Sequence, residues 1–229
     1  MKKNRMLCTG FLLAEFILYI LILTSGGVLL VASEFLAIVL CFVFALFSKN
    51  QDNTVFTVGL ACTVAADFCL VICDPIQQLW GMVFFLVAQL MYAEGLHRMM
   101  KKQWVLYSRI VFTAVAVIVT MAVLGEKTDA LAIISLCYYA NLIINMVAAF
   151  CVASRNPMLP IAFILFILCD TVIGLQVASG SYLPIAENSF LYRILFMDFH
   201  LSWFFYLPSQ VLLALHGSGR NILCRKRGQ

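Results

Sequence analysis

Eight apolar runs divide the chain almost without interruption, at residues 7–24, 27–47, 54–73, 79–97, 104–124, 130–152, 158–177 and 194–215. A helix rises 1.5 Å per residue, so about 20 apolar residues cross the roughly 30 Å of bilayer hydrocarbon. The pattern predicts an all-α bundle of eight transmembrane helices forming a single integral membrane domain over 1–229. The short stretch 1–6 and the basic tail 216–229 are expected outside the bilayer. The longest connection, 178–193, has sixteen residues and leaves no room for a soluble domain. Its Pro184 and Asn188, with the aromatics Tyr182, Phe190 and Tyr192, suit a lid over one end of the bundle.

Polar residues inside these runs carry the functional signal. The third run holds Asp67 and the fourth Gln89; the seventh holds Asp170 and the eighth Gln210. A carboxylate near the bilayer centre costs about 2.5 to 3.5 kcal/mol on insertion scales, so two in matching places suggest a built polar site. The repeated order also suggests two parallel halves of four helices each, related by an axis along the membrane normal.

Depth brings more groups to the same layer. Asp67 and Asp170 lie six and seven residues before the ends of their spans, about 10 Å below that boundary. Glu34 in the second span reaches a similar level, and Asp198 in the eighth lies slightly shallower. Crowded carboxylates in a low-dielectric site do not all ionise, which sets a proton donor beside a base. Asp198, Ser202, Tyr206 and Gln210 follow at four-residue spacing, Tyr138, Asn141 and Asn145 repeat the device, and Gln89 pairs with Tyr92. Such stripes are expected to line an interior cavity. Asp67 and Asp170 are the candidate catalytic residues; Glu34, Gln89, Tyr92, Asn141, Asp198, Tyr206 and Gln210 are candidate substrate-binding groups. The competing reading for each is a hydrogen bond that fixes helix packing, and it weighs most for Glu15, Glu34 and Glu94. Pro208 is expected to kink the eighth helix and free a carbonyl toward the cavity. Gly81 and Gly174 are expected to permit close helix contact.

Composition agrees with a membrane protein, at 64% hydrophobic and 11% charged residues. Lys2, Lys3, Arg5, Lys49, Arg98, Lys101, Lys102, Arg155, Arg220, Arg225, Lys226 and Arg227 fall on one side of an eight-span topology, and only Lys127 and Arg193 on the other. Arg109, early in the fifth span, is expected to snorkel to the basic side, giving thirteen against two. Both termini are therefore expected in the cytoplasm. Orientation and anionic headgroups account for the net charge of +4, so no nucleic-acid partner is implied. Glu15 interrupts the first apolar run and no small-residue cleavage site follows, which favours a retained span over a signal peptide. The nine cysteines form no CxxC pair and read as small buried side chains. His97, His200 and His216 are too scattered for a three-histidine metal site. No metal or organic cofactor is expected.

At the stretches AADFCLV, GMVFFLVAQLMYA, FILFILCDTVIGL and FFYLPSQVLLALH, the chain resembles the lysoplasmalogenase-like, YhhN-type family of polytopic membrane proteins. The family pattern has Gly-Asp where this chain has Ala66 and Asp67, and Ser-Asp where it has Cys169 and Asp170. A histidine often stands at the position of Gln89, followed by the tyrosine matching Tyr92. A Lys-Pro element of the second span has Glu34 and Phe35 as its nearest equivalents. The resemblance implies an eight-helix membrane fold and hydrolysis of the vinyl ether bond of lysoplasmalogens to a fatty aldehyde and a glycerophospho-base. It implies a lysophospholipid or other amphipathic lipid as substrate. Intramembrane carboxylates and a proline-interrupted helix also describe an ion-coupled transporter, and a non-catalytic lipid-binding protein is the third class. The topology fits a plasma membrane, with the endoplasmic reticulum membrane as the alternative.

Overall fold

The computed structural model of the chain describes residues 2–47, 54–100, 103–125, 128–181, 185–197 and 199–218. The described residues form α1 (Lys2–Thr24), α2 (Gly27–Leu46), α3 (Thr54–Asp67), α4 (Gln78–Met100), α5 (Trp104–Leu124), α6 (Ala130–Cys151), α7 (Met158–Ser181), α8 (Phe190–Leu195) and α9 (Leu201–Gly217). A π-helical turn, Phe68–Ile72, continues α3 directly. The fold is all-α, and seven of its helices are long and apolar enough to cross a membrane.

The eighth expected span, 194–215, is met chiefly by α9, while four of the six residues of α8, including Phe190 and Tyr192 of the expected lid, fall in the expected connection 178–193. Ser189 caps α8 by accepting from the Tyr192 amide at 3.1 Å, and Gln176 on α7 donates to the Leu195 carbonyl at 2.5 Å. These bonds fix a short helix mostly within a stretch that the apolar pattern reads as a connection. At 17 residues, α9 is somewhat shorter than the other spans, about 25 Å of rise.

Packing follows a ring. Helix α9 touches α1, α2, α3 and α7, while α3 packs on α4, α4 on α6 and α6 on α7. Helix α5 rests chiefly on α6, and only 11% of its span is buried against 44% for α7, so it is peripheral and mostly faces lipid. The α3–α4 and α7–α9 pairs, which carry the repeated Asp and Gln, are both in intimate contact.

Small residues set the closest approaches, as expected where helices gain little from hydrophobic exclusion and depend on packing. At Gly59 an added Cβ would collide with the Tyr92 ring, at Gly95 with Phe56, and at Gly81 it would come within 2.6 Å of Leu70 Cγ. Gly174 differs from its expected role, since nothing lies within 4 Å of a Cβ placed there. Gly59→Val should destabilise the bundle by about 1 to 3 kcal/mol, because Tyr92 is fully buried and has nowhere to move. Chemical denaturation in detergent checks this, with Gly174→Val as the near-neutral control.

Pro208 sits inside α9 without ending it. Its missing N–H leaves the Phe204 carbonyl without an intrahelical donor, and the Tyr19 hydroxyl of α1 donates to that oxygen at 3.2 Å. The freed carbonyl thus anchors α1 to α9 and does not face a central cavity. Tyr19→Phe is expected to cost about 0.5 to 1.5 kcal/mol, read in the same denaturation assay.

Candidate functional site

Asp67 is the last residue of α3, at the point where the backbone passes into the π-helical turn. The turn is closed by the Cys73 amide donating to the Phe68 carbonyl at 3.0 Å. Such widened turns shift the register of the side chains that follow and recur at functional sites. Nothing in the apolar periodicity of 54–73 signals it.

The Asp67 side chain is 4% exposed, and its Oδ2 accepts from the Tyr206 hydroxyl of α9 at 2.7 Å. Asp170 on α7 accepts through Oδ2 from the Tyr138 hydroxyl of α6. Both tyrosines pack on Phe85 and Phe166, so the two clamped carboxyls flank one aromatic cluster. Of the four carboxylates expected in one layer, Glu34 and Asp67 are buried and Asp170 is partly buried. The fourth, Asp198, lies outside the described residues, as do Tyr182 and Pro184 of the expected lid.

Aromatic rings fill the space around the pair. Phe85 of α4 packs against Tyr138 at 5.5 Å between centroids, against Phe166 of α7 at 6.2 Å and against Tyr206 at 6.3 Å. Phe166 also meets Tyr206 at 5.5 Å, and Trp203 stands edge-on to Tyr206 at 5.0 Å. The two tyrosines that hold the aspartates thus belong to one aromatic cluster, whose rings restrict their rotation. An open cavity was the expectation for this region. Two depressions on the molecule lie instead along α5 and α6, with neither Asp67 nor Asp170 in their walls.

The amides and Tyr92 lie further along the helices. Tyr92 hydroxyl and Thr63 Oγ1 are 3.2 Å apart, and Thr63 is one turn before Asp67 on α3. Gln89 accepts from Asn145 at 2.9 Å through Oε1, while its fully buried Nε2 has no hydrogen-bond partner among the described residues. Gln210, one turn beyond Tyr206, donates to Ser209 at 3.2 Å and leaves Oε1 without a partner among the described residues. An unmade bond of this kind costs about 1 to 3 kcal/mol, and here the orphans are one donor and one acceptor.

Asn141 does not join the aspartates. Its Oδ1 accepts from Arg109 at 2.7 Å and its Nδ2 donates to the Cys137 carbonyl at 2.7 Å, which turns the side chain toward α5. Arg109 is only 8% exposed and points into the α5–α6 interface, where a snorkelling side chain was expected. The carbonyl oxygens of Asn141 and Asn145 attract it more effectively than the interface does. Glu15 accepts from Cys41 Sγ at 3.3 Å, and Glu94 pairs with Arg98 at 2.7 Å on the exposed face of α4. Tyr138 was visible on the polar stripe of the sixth run, but its service to Asp170 was not.

Residues 29–216 match the family model of the YhhN family. The chain belongs to the YhhN family. Comparisons with curated proteins and with solved structures give no match. Glu34, Asp67, Asp170, Tyr138 and Tyr206 all fall inside the YhhN-matched region.

Proposed function

We propose that this YhhN protein hydrolyses the vinyl ether bond of a lysoplasmalogen, with Asp67 and Asp170 as its acid–base pair. The observation that carries the reading is the placement of buried Asp67 and partly buried Asp170 around one aromatic cluster, each held by a tyrosine hydroxyl from a different helix. Family membership supports the same reaction class.

The chemistry needs two carboxyls in different protonation states. One donates its proton to the β-carbon of the double bond, which leaves an oxocarbenium ion at the ether carbon. The other, ionised, stabilises that cation and then takes a proton from the water that attacks it. The hemiacetal so formed collapses to the fatty aldehyde and the glycerol hydroxyl of the glycerophospho-base. Glycoside hydrolysis divides labour between two carboxyls in the same way. The faces of Phe85 and Phe166, packed beside the tyrosines, add cation–π stabilisation to the oxocarbenium. Glu34, Tyr92, Gln89 and Gln210 position the lipid, the last two through their unpaired amide atoms. Asn141 is withdrawn from that role by its bonds to Arg109 and Cys137. The protein resides in the plasma membrane with both termini in the cytoplasm.

Purified protein in mixed micelles should release aldehyde from a lysoplasmalogen and none from the saturated alkyl-ether analogue, which has no double bond to protonate. Folded protein that releases no aldehyde from the vinyl ether would overturn the reading in favour of a carrier or a lipid-binding protein.

A further inference from the structure

Arg109 raises a separate question. It is a buried cation in a membrane helix, and the one ion pair among the described residues is Arg98–Glu94, so no carboxylate among them neutralises it. Its Nη1 and Nη2 donate to Asn141 Oδ1 at 2.7 Å and Asn145 Oδ1 at 2.8 Å. Both amides are held the right way round for this. Asn141 Nδ2 donates to the Cys137 carbonyl at 2.7 Å, and Asn145 Nδ2 donates to the Gln89 side chain and backbone carbonyl, each at 2.9 Å. Neutral groups therefore fix the guanidinium in place and leave its positive charge intact. Three of its five N–H donors remain without a protein acceptor among the described residues.

The guanidinium also lines a groove. A depression of about 530 Å³ runs between α4, α5 and α6, walled by Leu90, Arg109, Thr113, Ala114, Val117 and Asn141. Its walls are almost wholly apolar apart from Arg109, Thr113 and Asn141, and it opens on the lipid-facing side of the bundle, where Leu90 and Ile118 are exposed. Arg109 is five residues into α5, about 7.5 Å from the helix end. That depth is within reach of the lipid phosphates, and the rest of the groove runs alongside their acyl chains.

We propose that this groove is a binding site for a membrane lipid bearing a phosphate, with Arg109 as the anion anchor and the α4–α6 wall as the seat of an acyl chain. An unpaired cation in low dielectric strongly favours an anionic partner, and a guanidinium fork matches two phosphate oxygens. A headgroup phosphate supplies that charge, and an apolar tail fills a groove that an ion alone would leave empty. The site is distinct from the aspartate pair and does not depend on the hydrolytic reading.

The test is binding of dioleoyl phosphatidate to the purified full-length protein in detergent, read by native mass spectrometry, with dioleoylglycerol and inorganic phosphate as the comparison probes. Wild type should bind phosphatidate at least tenfold more tightly than dioleoylglycerol, and millimolar inorganic phosphate should not displace it. Arg109→Gln should lose that preference, and Ala114→Trp, which fills the groove and keeps the cation, should weaken phosphatidate binding at least tenfold. Asp67→Asn should bind as wild type does. Equal affinity for the two lipids, displacement by inorganic phosphate, loss of binding in Asp67→Asn, or undiminished binding in Ala114→Trp would each overturn the proposal. Should Arg109→Gln fail to fold, the lipid comparison on wild type and Ala114→Trp still decides.

Discussion

Asp67→Asn and Asp170→Asn are each expected to lower vinyl ether hydrolysis by about 100- to 10,000-fold, the usual cost of removing a general acid or base. An amide neither donates a proton to carbon nor carries the charge that stabilises an oxocarbenium ion. The replacement is nearly isosteric, and Tyr206 and Tyr138 retain an acceptor oxygen at positions 67 and 170. Removing an ionisable group from a buried site also removes the cost of keeping a charge there, so stability should stay level or rise. Aldehyde release measured beside a denaturation midpoint separates the two effects. Wild-type turnover by both variants would show that the carboxylates only pack helices. Gln89→Ala should cost less than either, since it loosens positioning and leaves the proton path in place.

The second large effect is expected at the tyrosines. Tyr206→Phe and Tyr138→Phe each delete one hydroxyl and keep the ring, so the aromatic cluster around Phe85 and Phe166 persists. A hydrogen bond to a charged group is worth about 1.5 to 3 kcal/mol, which corresponds to roughly a 10- to 100-fold loss of rate if it holds the carboxylate in its reactive state. The loss should be non-additive with its own aspartate and additive with the other. Tyr206→Phe placed on Asp67→Asn should therefore change little, while Tyr206→Phe combined with Tyr138→Phe should multiply. A structural role alone would give the tyrosine variants lower stability with unchanged kcat, which the paired rate and stability measurements would reveal.

Much of this architecture is legible in the sequence because a bilayer imposes a simple rule. Every backbone polar group must be satisfied internally, so apolar length reads directly as helix, and α1 to α7 fall within a few residues of the expected runs. The same rule marks Asp67 and Asp170, since an intramembrane carboxylate is costly without a partner or a task. Partner choice is a different kind of information. That Asp67 pairs with Tyr206 across 139 residues, and Asp170 with Tyr138 across 32, depends on which helix faces meet in the bundle. Helix α7 has no apolar stripe set against a polar face, so periodicity does not orient it. The π-helical turn after Asp67 is set by backbone register, which leaves no compositional trace. Arg109 misled for a physical reason: its position near a helix end favours snorkelling, and only the inward-facing Asn141 and Asn145 reverse that preference. Pro208 was legible as a helix irregularity, whereas its consequence rests on Tyr19, nearly the whole chain away.

Deuterium incorporation tests the central claim most directly. Purified protein given a lysoplasmalogen in deuterated water should release aldehyde carrying one deuterium at the carbon next to the carbonyl, delivered by the exchanged carboxyl of the Asp67–Asp170 pair. That labelled product should disappear in both asparagine variants while the lipid remains intact. Labelled aldehyde at the wild-type rate from folded Asp67→Asn and Asp170→Asn proteins, or no aldehyde at all from folded wild type, would contradict the account.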